Sequence, residues 1–282
     1  MEGLNCSSTC YVRAYATNMA GTGYGDQVSF STPGCEPVPG EFVFSDDDGT
    51  WLMNHEGERL LFAGTGGRNV EVYEDRIYIK SVREISVFNR DGSLYGRIDI
   101  DSRIEMALIM CVLPDGNLAF LDNENDLVSF TNPYGELIHE MSLSGVAADE
   151  SLQNVRGVVV DNGLIISVDG NNRIIRIDLD TYEWSVFRDF QHLTGWLGDI
   201  DHAEGTYYLC QSRKLYSFRE GEEEQLICEL PEGNNAGIAV LGDFAYVVSY
   251  GGNKVYRVNV HSGDYDVIVS DANYPQDIEL LP

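Results

Sequence analysis

The sequence predicts an all-β fold in which one four-stranded unit is repeated around a closed ring. Three observations lead to this prediction. Alternating apolar runs bounded by Gly, Asn and Asp dominate the chain, and helical periodicity is almost absent. Five segments share the pattern of a strand, a polar or glycine turn and a second strand. The two ends of the repeat region carry complementary parts of a sixth unit.

The repeat is clearest in the first hairpin of each unit. The five hairpins read VEVYEDRIYIK, MCVLPDGNLAFLD, VVVDNGLIISVDG, DIDHAEGTYYLCQ and IAVLGDFAYVVSY. The residues that follow the five turns are spaced by 41, 47, 42 and 38 positions: Arg76, Asn117, Leu164, Thr206 and Phe244. A third strand, such as EISVFNRDG, and a shorter fourth strand, such as SLYGRIDI, follow each hairpin. Four strands at a period of about 40 residues are typical of a β-propeller blade, whereas an irregular β-sandwich would not repeat in this way.

The two ends of the repeat region combine into a sixth blade. Residues 41–63, EFVFSDDDGTWLMNHEGERLLFA, supply a second, a third and a fourth strand but no first strand. The C-terminal stretch QDIELL reads as a first strand with nothing after it. Pairing the two hides the sheet edges and ties the last blade to the first. We therefore predict a six-bladed β-propeller over residues 41–282, closed by the C-terminal strand pairing with the N-terminal blade.

The N-terminal segment does not follow the repeat pattern. The stretch CYVRAYATNMAGTGYGDQVSFST predicts two strands joined by a glycine-rich turn, and residues 33–40 predict a Pro/Gly linker. Alternation places Tyr11, Arg13 and Tyr15 on one face of the first strand. Two strands alone are marginally stable in water, so we expect them to pack on the propeller or to be poorly ordered. We also expect the natural chain, or its ancestor, to have had a longer N-terminus.

Two family resemblances follow from these motifs. The stretches LPDGNLAFLDNENDLVSFTNPYGELI and VVDNGLIISVDGNNRIIRIDLDT resemble NHL repeats and the wider six-bladed group of senescence-marker and gluconolactonase-like proteins. Residues 1–32 resemble the C-terminal part of a fibronectin type III domain, through YVRAYATN, the glycine-rich turn and VSFST. The first resemblance implies a fold more than an activity. The second implies an extracytoplasmic protein (secreted, periplasmic or on the cell surface), although no signal is visible in the chain.

The charge balance excludes some partners. The chain carries 46 acidic and 18 basic side chains, a formal net charge of −28, and has no Lys/Arg cluster. Such a surface repels phosphate backbones, so we expect no nucleic-acid partner. No run of about 18 apolar residues is present, so we expect no membrane insertion. The acidic surface serves solubility or, alternatively, binds Ca²⁺ or another cation. The oligomeric state is left open, with a monomer as the simplest expectation.

The six cysteines show neither a CxxC motif nor a Cys/His metal spacing. Cys111, Cys210 and Cys228 lie in apolar strand-like runs, which predicts buried free thiols. The other three lie close together in sequence and leave the formation of one disulfide open: they are Cys6, Cys10 and Cys35.

Candidate ligand-binding residues lie where the inner strands are predicted to begin. Propellers usually bind ligands at one end of the central channel, on the loops that lead into these strands. Trp196 belongs to the aromatic-rich connection FQHLTGWLGDIDH, where packing between blades is the alternative role. The predicted channel-mouth residues are Asn69, Glu105, Asn154, Arg156, Trp196, Asp199, His202, Asn235, Tyr250, Tyr274 and Gln276.

A metal site is implied by the gluconolactonase resemblance. That group holds its metal with a carboxylate, an asparagine and an aspartate around the axis, and Glu105, Asn154 and Asp199 match these residue types. Oxygen ligands of this kind suit Ca²⁺, which is the candidate cofactor. Polar residues that cap inner strands are also common in propellers, so a structural role stays open. Streptogramin-lyase-like propellers use a histidine with an acidic partner and Mg²⁺. In this sequence, His202 with Asp199 or Asp201 is the only pair that could match that arrangement.

Two main hypotheses for the function remain. The first is a non-enzymatic extracytoplasmic propeller that binds a protein or a glycan at the channel mouth. It rests on the fibronectin-like segment, the acidic surface and the lack of a GxSxG, HExxH or Walker motif. The alternative is a metal-dependent (Ca²⁺ or Mg²⁺) lactonase- or lyase-like enzyme at the same mouth. A purely architectural module is a third option, and the sequence does not identify the ligand.

Overall fold

A computed structural model of the chain describes most of it. The described residues are 9–19, 21–31, 40–100, 104, 107, 109–122, 127–143, 155–161, 163–168, 173–190 and 197–281, without the side chains of 9, 10, 30, 31, 155–157, 167 and 168. Across these ranges all regular structure is β-strand. A search of the same ranges finds no helix long and apolar enough to cross a membrane.

The described residues form twenty-six strands, arranged as one hairpin and six blades. The hairpin consists of β1 (Thr9–Asn18) and β2 (Gly21–Ser31). Blade 1 consists of β6 (Asn69–Tyr73), β7 (Arg76–Lys80), β8 (Glu84–Asn89) and β9 (Leu94–Asp99). Blade 2 consists of β10 (Ile109–Val112), β11 (Leu118–Asp122), β12 (Leu127–Thr131) and β13 (Leu137–Ser142). Blade 3 consists of β14 (Val155–Val160), β15 (Leu164–Val168), β16 (Arg173–Ile177) and β17 (Trp184–Asp189).

The remaining blades complete the ring. Blade 4 consists of β18 (Leu197–Ala203), β19 (Thr206–Gln211), β20 (Lys214–Phe218) and β21 (Gln225–Glu229). Blade 5 consists of β22 (Asn235–Leu241), β23 (Phe244–Ser249), β24 (Lys254–Asn259) and β25 (Tyr265–Val269). Blade 6 consists of β26 (Asp277–Leu280), β3 (Phe42–Asp46), β4 (Gly49–Met53) and β5 (Arg59–Ala63).

The predicted six-bladed propeller and its ring closure are confirmed. Every blade is an antiparallel meander, and in blade 6 the C-terminal β26 pairs with β3 from the other end of the repeat region. The register runs from Asp277 opposite Ser45 to Leu280 opposite Phe42. Because the C-terminal strand is the innermost strand of its blade, the ring is closed by hydrogen bonds between distant parts of the chain.

The core is divided among the six interfaces between neighbouring blades. Each interface holds its own cluster of buried apolar side chains. Both faces of the second strand are therefore covered, and all five residues of β11 are buried. The outermost strand alternates instead, as in β13, because one of its faces reaches solvent. Cys111, Cys210 and Cys228 are free and buried in these clusters, as predicted. Cys6 and Cys35 and the Cys10 side chain lie outside the described residues.

Turns between third and fourth strands press against the preceding blade. Gly57 has φ 85°, and a Cβ there would lie 2.1 Å from the carbonyl oxygen of Ile268 in blade 5. Gly263 has φ 75°, and a Cβ there would lie 2.3 Å from the carbonyl oxygen of Ile227 in blade 4. Glycine is required at both turns by the backbone conformation and by the space.

The hairpin β1–β2 has the pairing expected from the sequence. Its register shifts between Arg13 and Tyr15, which marks a β-bulge. The Arg13 guanidinium lies 4.1 Å from the centroid of the Tyr24 ring, and Tyr15 also contacts that ring. Tyr11 and Val28 are 66% and 63% exposed. The relation to a fibronectin type III domain stays a prediction, and linker residues 33–39 lie outside the described ranges.

Candidate ligand-binding site

An open cavity of about 620 Å³ lies at the end of the ring where the inner strands begin. Its wall is formed by residues near the starts of inner strands, including Asn69 and Asn235 at the first position and Asp199 at the third. Its rim is formed by turns between second and third strands, represented by Ser212 and Tyr250. This is the end of the channel that the sequence predicts as the functional one.

The cavity is strongly acidic. Among the described residues that line it, the carboxylates outnumber the cationic side chains, of which Arg68 is the single example. The carboxylate residues are Asp46, Asp47, Glu71, Asp199, Asp277 and Glu279. Arg68 is solvent-exposed at the rim, whereas Asp199 and Asp277 are 8% and 7% exposed. The interior of the cavity therefore favours a positively charged ligand over an anionic one.

Several of these carboxylates join neighbouring inner strands. An inner strand has a ladder partner on one side alone, so alternate backbone N–H groups face the next blade or the channel. Asp277 Oδ2 accepts hydrogen bonds from the Val70 N–H at 3.0 Å and from Asn69 Nδ2 at 2.6 Å. Its Oδ1 accepts one from the Ile278 N–H at 3.0 Å. Asn69 continues the connection, because its Oδ1 accepts from the Met110 N–H at 2.9 Å.

The same arrangement recurs between blades 4 and 5. Asp199 Oδ2 accepts a hydrogen bond from the Ile238 N–H at 3.0 Å. Two residues further along β18, Asp201 Oδ2 accepts from the Val240 N–H at 2.7 Å. Glu71 accepts a bond from the Val112 N–H between blades 1 and 2. These carboxylates therefore stabilise the ring as well as line the cavity.

Burial raises the pKa values of several cavity carboxyl groups. Burial raises the pKa of Asp277 to about 7, even though hydrogen bonds from Val70 and Asn69 act in the opposite direction. Burial, and then repulsion from Asp277, raise the pKa of Asp199 well above its ordinary value. Burial, followed by repulsion from Glu71 and Asp277, does the same to the pKa of Glu279. The pKa of Glu71 is raised for the same two reasons. Carboxylates crowded in a low-dielectric site keep their protons to a higher pH than exposed carboxylates do.

Two polar side chains in the wall are not used by the protein. Both amide atoms of Asn235 lack a hydrogen-bond partner within the described structure, although the residue is 4% exposed. Over the same ranges, no hydrogen bond or ion pair is found for the carboxylate of Glu279. Buried polar groups are normally paired, so Asn235 marks a position where a ligand could be bound, and the partly exposed Glu279 carboxylate lies in the same cavity wall.

The rim carries an exposed aromatic pair. The rings of Tyr250 and Tyr274 have centroids 5.2 Å apart, and the residues are 39% and 44% exposed. The Tyr250 N–H donates to the Asn234 carbonyl at 2.9 Å, and the Tyr274 N–H donates to Asn253 Oδ1 at 3.0 Å. Tyr274 adopts φ 52°, a left-handed conformation that is unusual for a residue with a large side chain. The backbone thus holds both rings at the mouth.

The predicted site residues divide into three groups. The first lines the cavity: Asn69, Asp199, Asn235, Tyr250 and Gln276. Tyr274 adjoins it through Tyr250. The second group consists of His202, which lies towards the opposite end of β18. Its ring centroid is 4.5 Å from that of Tyr207, and its Nε2 is 3.9 Å from Asp161 Oδ2.

The third group lies outside what the structure describes: Glu105, Asn154, Trp196 and the side chain of Arg156. The predicted metal site of Glu105, Asn154 and Asp199 therefore stays a prediction, with Asp199 as its one described member. Across the described residues, no group of three or more His, Cys, Asp or Glu side chains is arranged to hold a metal ion.

Sequence reasoning missed three cavity carboxylates, Glu71, Asp277 and Glu279. A signal for them exists, since polar residues alternate in Asn69-x-Glu71, Asp199-x-Asp201 and Asp277-x-Glu279. In three inner strands, two polar residues separated by one position lie on the same face. Asp46, the last residue of β3, has a structural role, because its Oδ1 accepts hydrogen bonds from the Gly49 N–H and from Trp51 Nε1.

No protein-family model matches the sequence, and no curated protein matches it either. Solved structures of similar fold do exist. A chain from a nidogen/laminin complex aligns with a TM-score of 0.66 at 12% identity, over 84% of this chain and 97% of that chain. A gluconolactonase from Xanthomonas campestris gives 0.57 at 13% identity, over 84% and 81%. Virginiamycin B lyase from Staphylococcus aureus gives 0.54 at 17% identity, over 80% and 74%. At these identities the similarity shows the fold alone.

Proposed function

We propose that this protein is a non-enzymatic binding propeller that holds a segment of a partner protein at the mouth of the acidic cavity. The observation that carries the proposal is the open cavity of about 620 Å³ bordered by the exposed pair Tyr250 and Tyr274. A concave site with tyrosines at its rim and polar groups inside suits a protruding side chain or loop.

The use of the carboxylates supports binding rather than catalysis. Asp277 accepts three hydrogen bonds from the protein itself, and Asp199 accepts two. These side chains are committed to holding inner strands together, which leaves the cavity rigid. A preformed rigid site lowers the conformational cost of binding. The similarity to a propeller from a nidogen/laminin complex is in line with a protein partner.

We further propose that the protein acts outside the cytoplasm, with residues 1–32 as the C-terminal part of a fibronectin type III domain. The support is the hairpin β1–β2 and the sequence resemblance of its two strands. Fractionation of cells that express the complete natural protein would test this location. Recovery of the protein in the cytoplasmic fraction would contradict it.

The binding proposal can be tested with a library of short random peptides displayed on phage. Peptides enriched on the immobilised chain should bind it in solution by calorimetry. Tyr250→Ser, at the rim, should weaken binding about tenfold or more, because an aromatic anchor is lost. Tyr134→Ser is the matched control, since Tyr134 is 80% exposed in the turn between β12 and β13, at the other end of the ring.

Two results would overturn the proposal. One is the absence of any enriched peptide, and the other is equal binding by the Tyr250→Ser and wild-type chains. A glycan array run in parallel distinguishes the carbohydrate alternative, because glycan binding without peptide binding would also refute a protein partner. Hydrolysis of a sugar lactone that requires Ca²⁺ or Mg²⁺ and is abolished by Asp199→Asn would establish the enzymatic alternative instead.

A further inference from the structure

Asn235 can be compared with Asn69, which occupies the equivalent position in another blade. Asn69 and Asn235 are each the first residue of an inner strand, β6 and β22, and each lines the cavity. Asn69 uses both amide atoms, donating to Asp277 Oδ2 at 2.6 Å and accepting from the Met110 N–H at 2.9 Å. Asn235 uses neither within the described structure. The same residue in the same blade position is thus satisfied once and unpartnered once.

An unpartnered buried amide has a free-energy cost unless a ligand or water supplies its hydrogen bonds. Asn235 shares the cavity wall with the carboxylate of Glu279, for which the described residues provide no hydrogen bond or ion pair. Both groups can accept hydrogen bonds, and a cation bound beside Glu71, Asp199 and Asp277 favours the ionised, negatively charged form of these acids. A positively charged hydrogen-bond donor can therefore serve Glu279 and the Asn235 Oδ1, while the Asn235 Nδ2 donor is left for a water molecule or a carbonyl oxygen of the partner.

The shape of the site favours an extended cation over a single ion. A metal ion needs several ligands that converge on one point, and no such convergence exists among the described side chains. A guanidinium offers five N–H donors in a planar fork, which can serve acceptors that are spread apart. The aliphatic stem of an arginine can also pack against the tyrosine rings at the mouth.

We propose that the cavity accepts the guanidinium of an arginine side chain from the partner, held by Glu279 and Asn235 in a field set by the other carboxylates. The arginine stem passes the Tyr250–Tyr274 pair on the way in. This inference rests on the proposed protein-binding function and specifies the side chain that the partner inserts.

The test uses a small probe, Nα-acetyl-L-arginine amide, with the full chain in NMR titration or calorimetry at neutral pH. Nα-acetyl-L-citrulline amide is the matched control, because it has nearly the same shape but carries a neutral urea, with a carbonyl oxygen in place of one nitrogen of the guanidinium. We expect the arginine probe to bind about tenfold or more tightly than the citrulline probe, since buried charge complementarity is lost with citrulline. This comparison needs no variant. Equal binding of both probes, or no binding of either, would overturn the inference.

Variants then locate the site. Glu279→Gln and Asn235→Leu should each weaken the arginine probe about tenfold or more, because each removes an acceptor from the cavity wall. Glu140→Gln is the control for the loss of one charge, since Glu140 is exposed on the outermost strand β13. Unchanged binding in both cavity variants would place the cation elsewhere and refute the assignment.

The two proposals fail in different ways. Peptides that bind at the Tyr250 rim but tolerate replacement of every arginine by citrulline would contradict the guanidinium inference and leave the binding function standing. Arginine-probe binding without any peptide enrichment would contradict the protein-binding function and show a site for small cations.

Discussion

Replacement of Asp277 by asparagine tests the electrostatics of the cavity most directly. The ordinary pKa of this carboxyl is 3.8, and burial raises it to about 7 in the folded chain. Between these pH values the folded state holds a proton that the unfolded state has released. The free energy of unfolding therefore falls as the pH rises through this window, and the loss is complete above pH 7.

The magnitude follows from the difference between the two pKa values. One proton held by the folded state alone gives a slope of about 1.4 kcal/mol per pH unit, and the whole window gives about 4 kcal/mol. Asparagine stays neutral, so the Asp277→Asn variant avoids this loss. Its Oδ1 can accept from Val70 and Asn69, but its amide group cannot accept from the Ile278 N–H, which costs about 1 kcal/mol.

We therefore expect the two stability curves to cross. At pH 4 the Asp277→Asn chain should be less stable than the wild type by about 1 kcal/mol, and at pH 8 more stable by about 3 kcal/mol. Urea unfolding followed by tryptophan fluorescence across this range measures both. Asp26→Asn is the control, because Asp26 is exposed on β2. Parallel curves for the wild type and the Asp277→Asn variant would refute a proton held at this carboxyl.

Three further predictions concern the ring itself. Gly237→Ala should lower the free energy of unfolding in urea by about 2 kcal/mol, because a Cβ there would lie 2.9 Å from Asp277 Cα. Unchanged stability would show that β22 and β26 are not held this closely. Removal of residues 272–282 deletes β26 and should abolish cooperative thermal unfolding near the wild-type temperature, and a wild-type melting curve would contradict the closure. Cys111 and Cys210 are buried, and burial raises their pKa values well above the ordinary range. Iodoacetamide should therefore label them in urea but not in the native protein, as mass spectrometry can measure. Labelling of the native protein would contradict the packing.

The blades could be predicted because their strands are bounded by strong local signals. Each first hairpin combines β-branched or aromatic runs with a turn of Gly, Asn or Asp, and the four-strand repeat makes a chance match implausible. The closure could be predicted because EFVFS lacked a first strand and QDIELL lacked partners. Long connections between blades carry no such periodic signal, and Glu105, Asn154 and Trp196 all fall in them.

The candidate site could be predicted in position but not in detail. Asn69, Asp199 and Asn235 were identified near the starts of their strands, whereas Glu71, two residues further along β6, and Glu279, the third residue of β26, were not. The depth of a cavity depends on how closely the inner strands approach one another. Irregularities such as the register shift between Leu197 and Ile200 bend an inner strand locally, and sequence patterns do not reveal them.

The carboxylates explain why a stable ring and a binding cavity occur together. Inner strands must satisfy backbone N–H groups that have no partner in their own sheet, and Asp199 and Asp277 do so from the neighbouring blade. Acceptors of this kind bring negative charge to the axis, which burial opposes by raising their pKa values. A cation in the cavity would relieve that opposition, because it stabilises the ionised form of the acids that close the ring. Ligand binding and ring stability are therefore linked through the same side chains, and a cationic ligand should stabilise the fold most where the carboxylates are ionised.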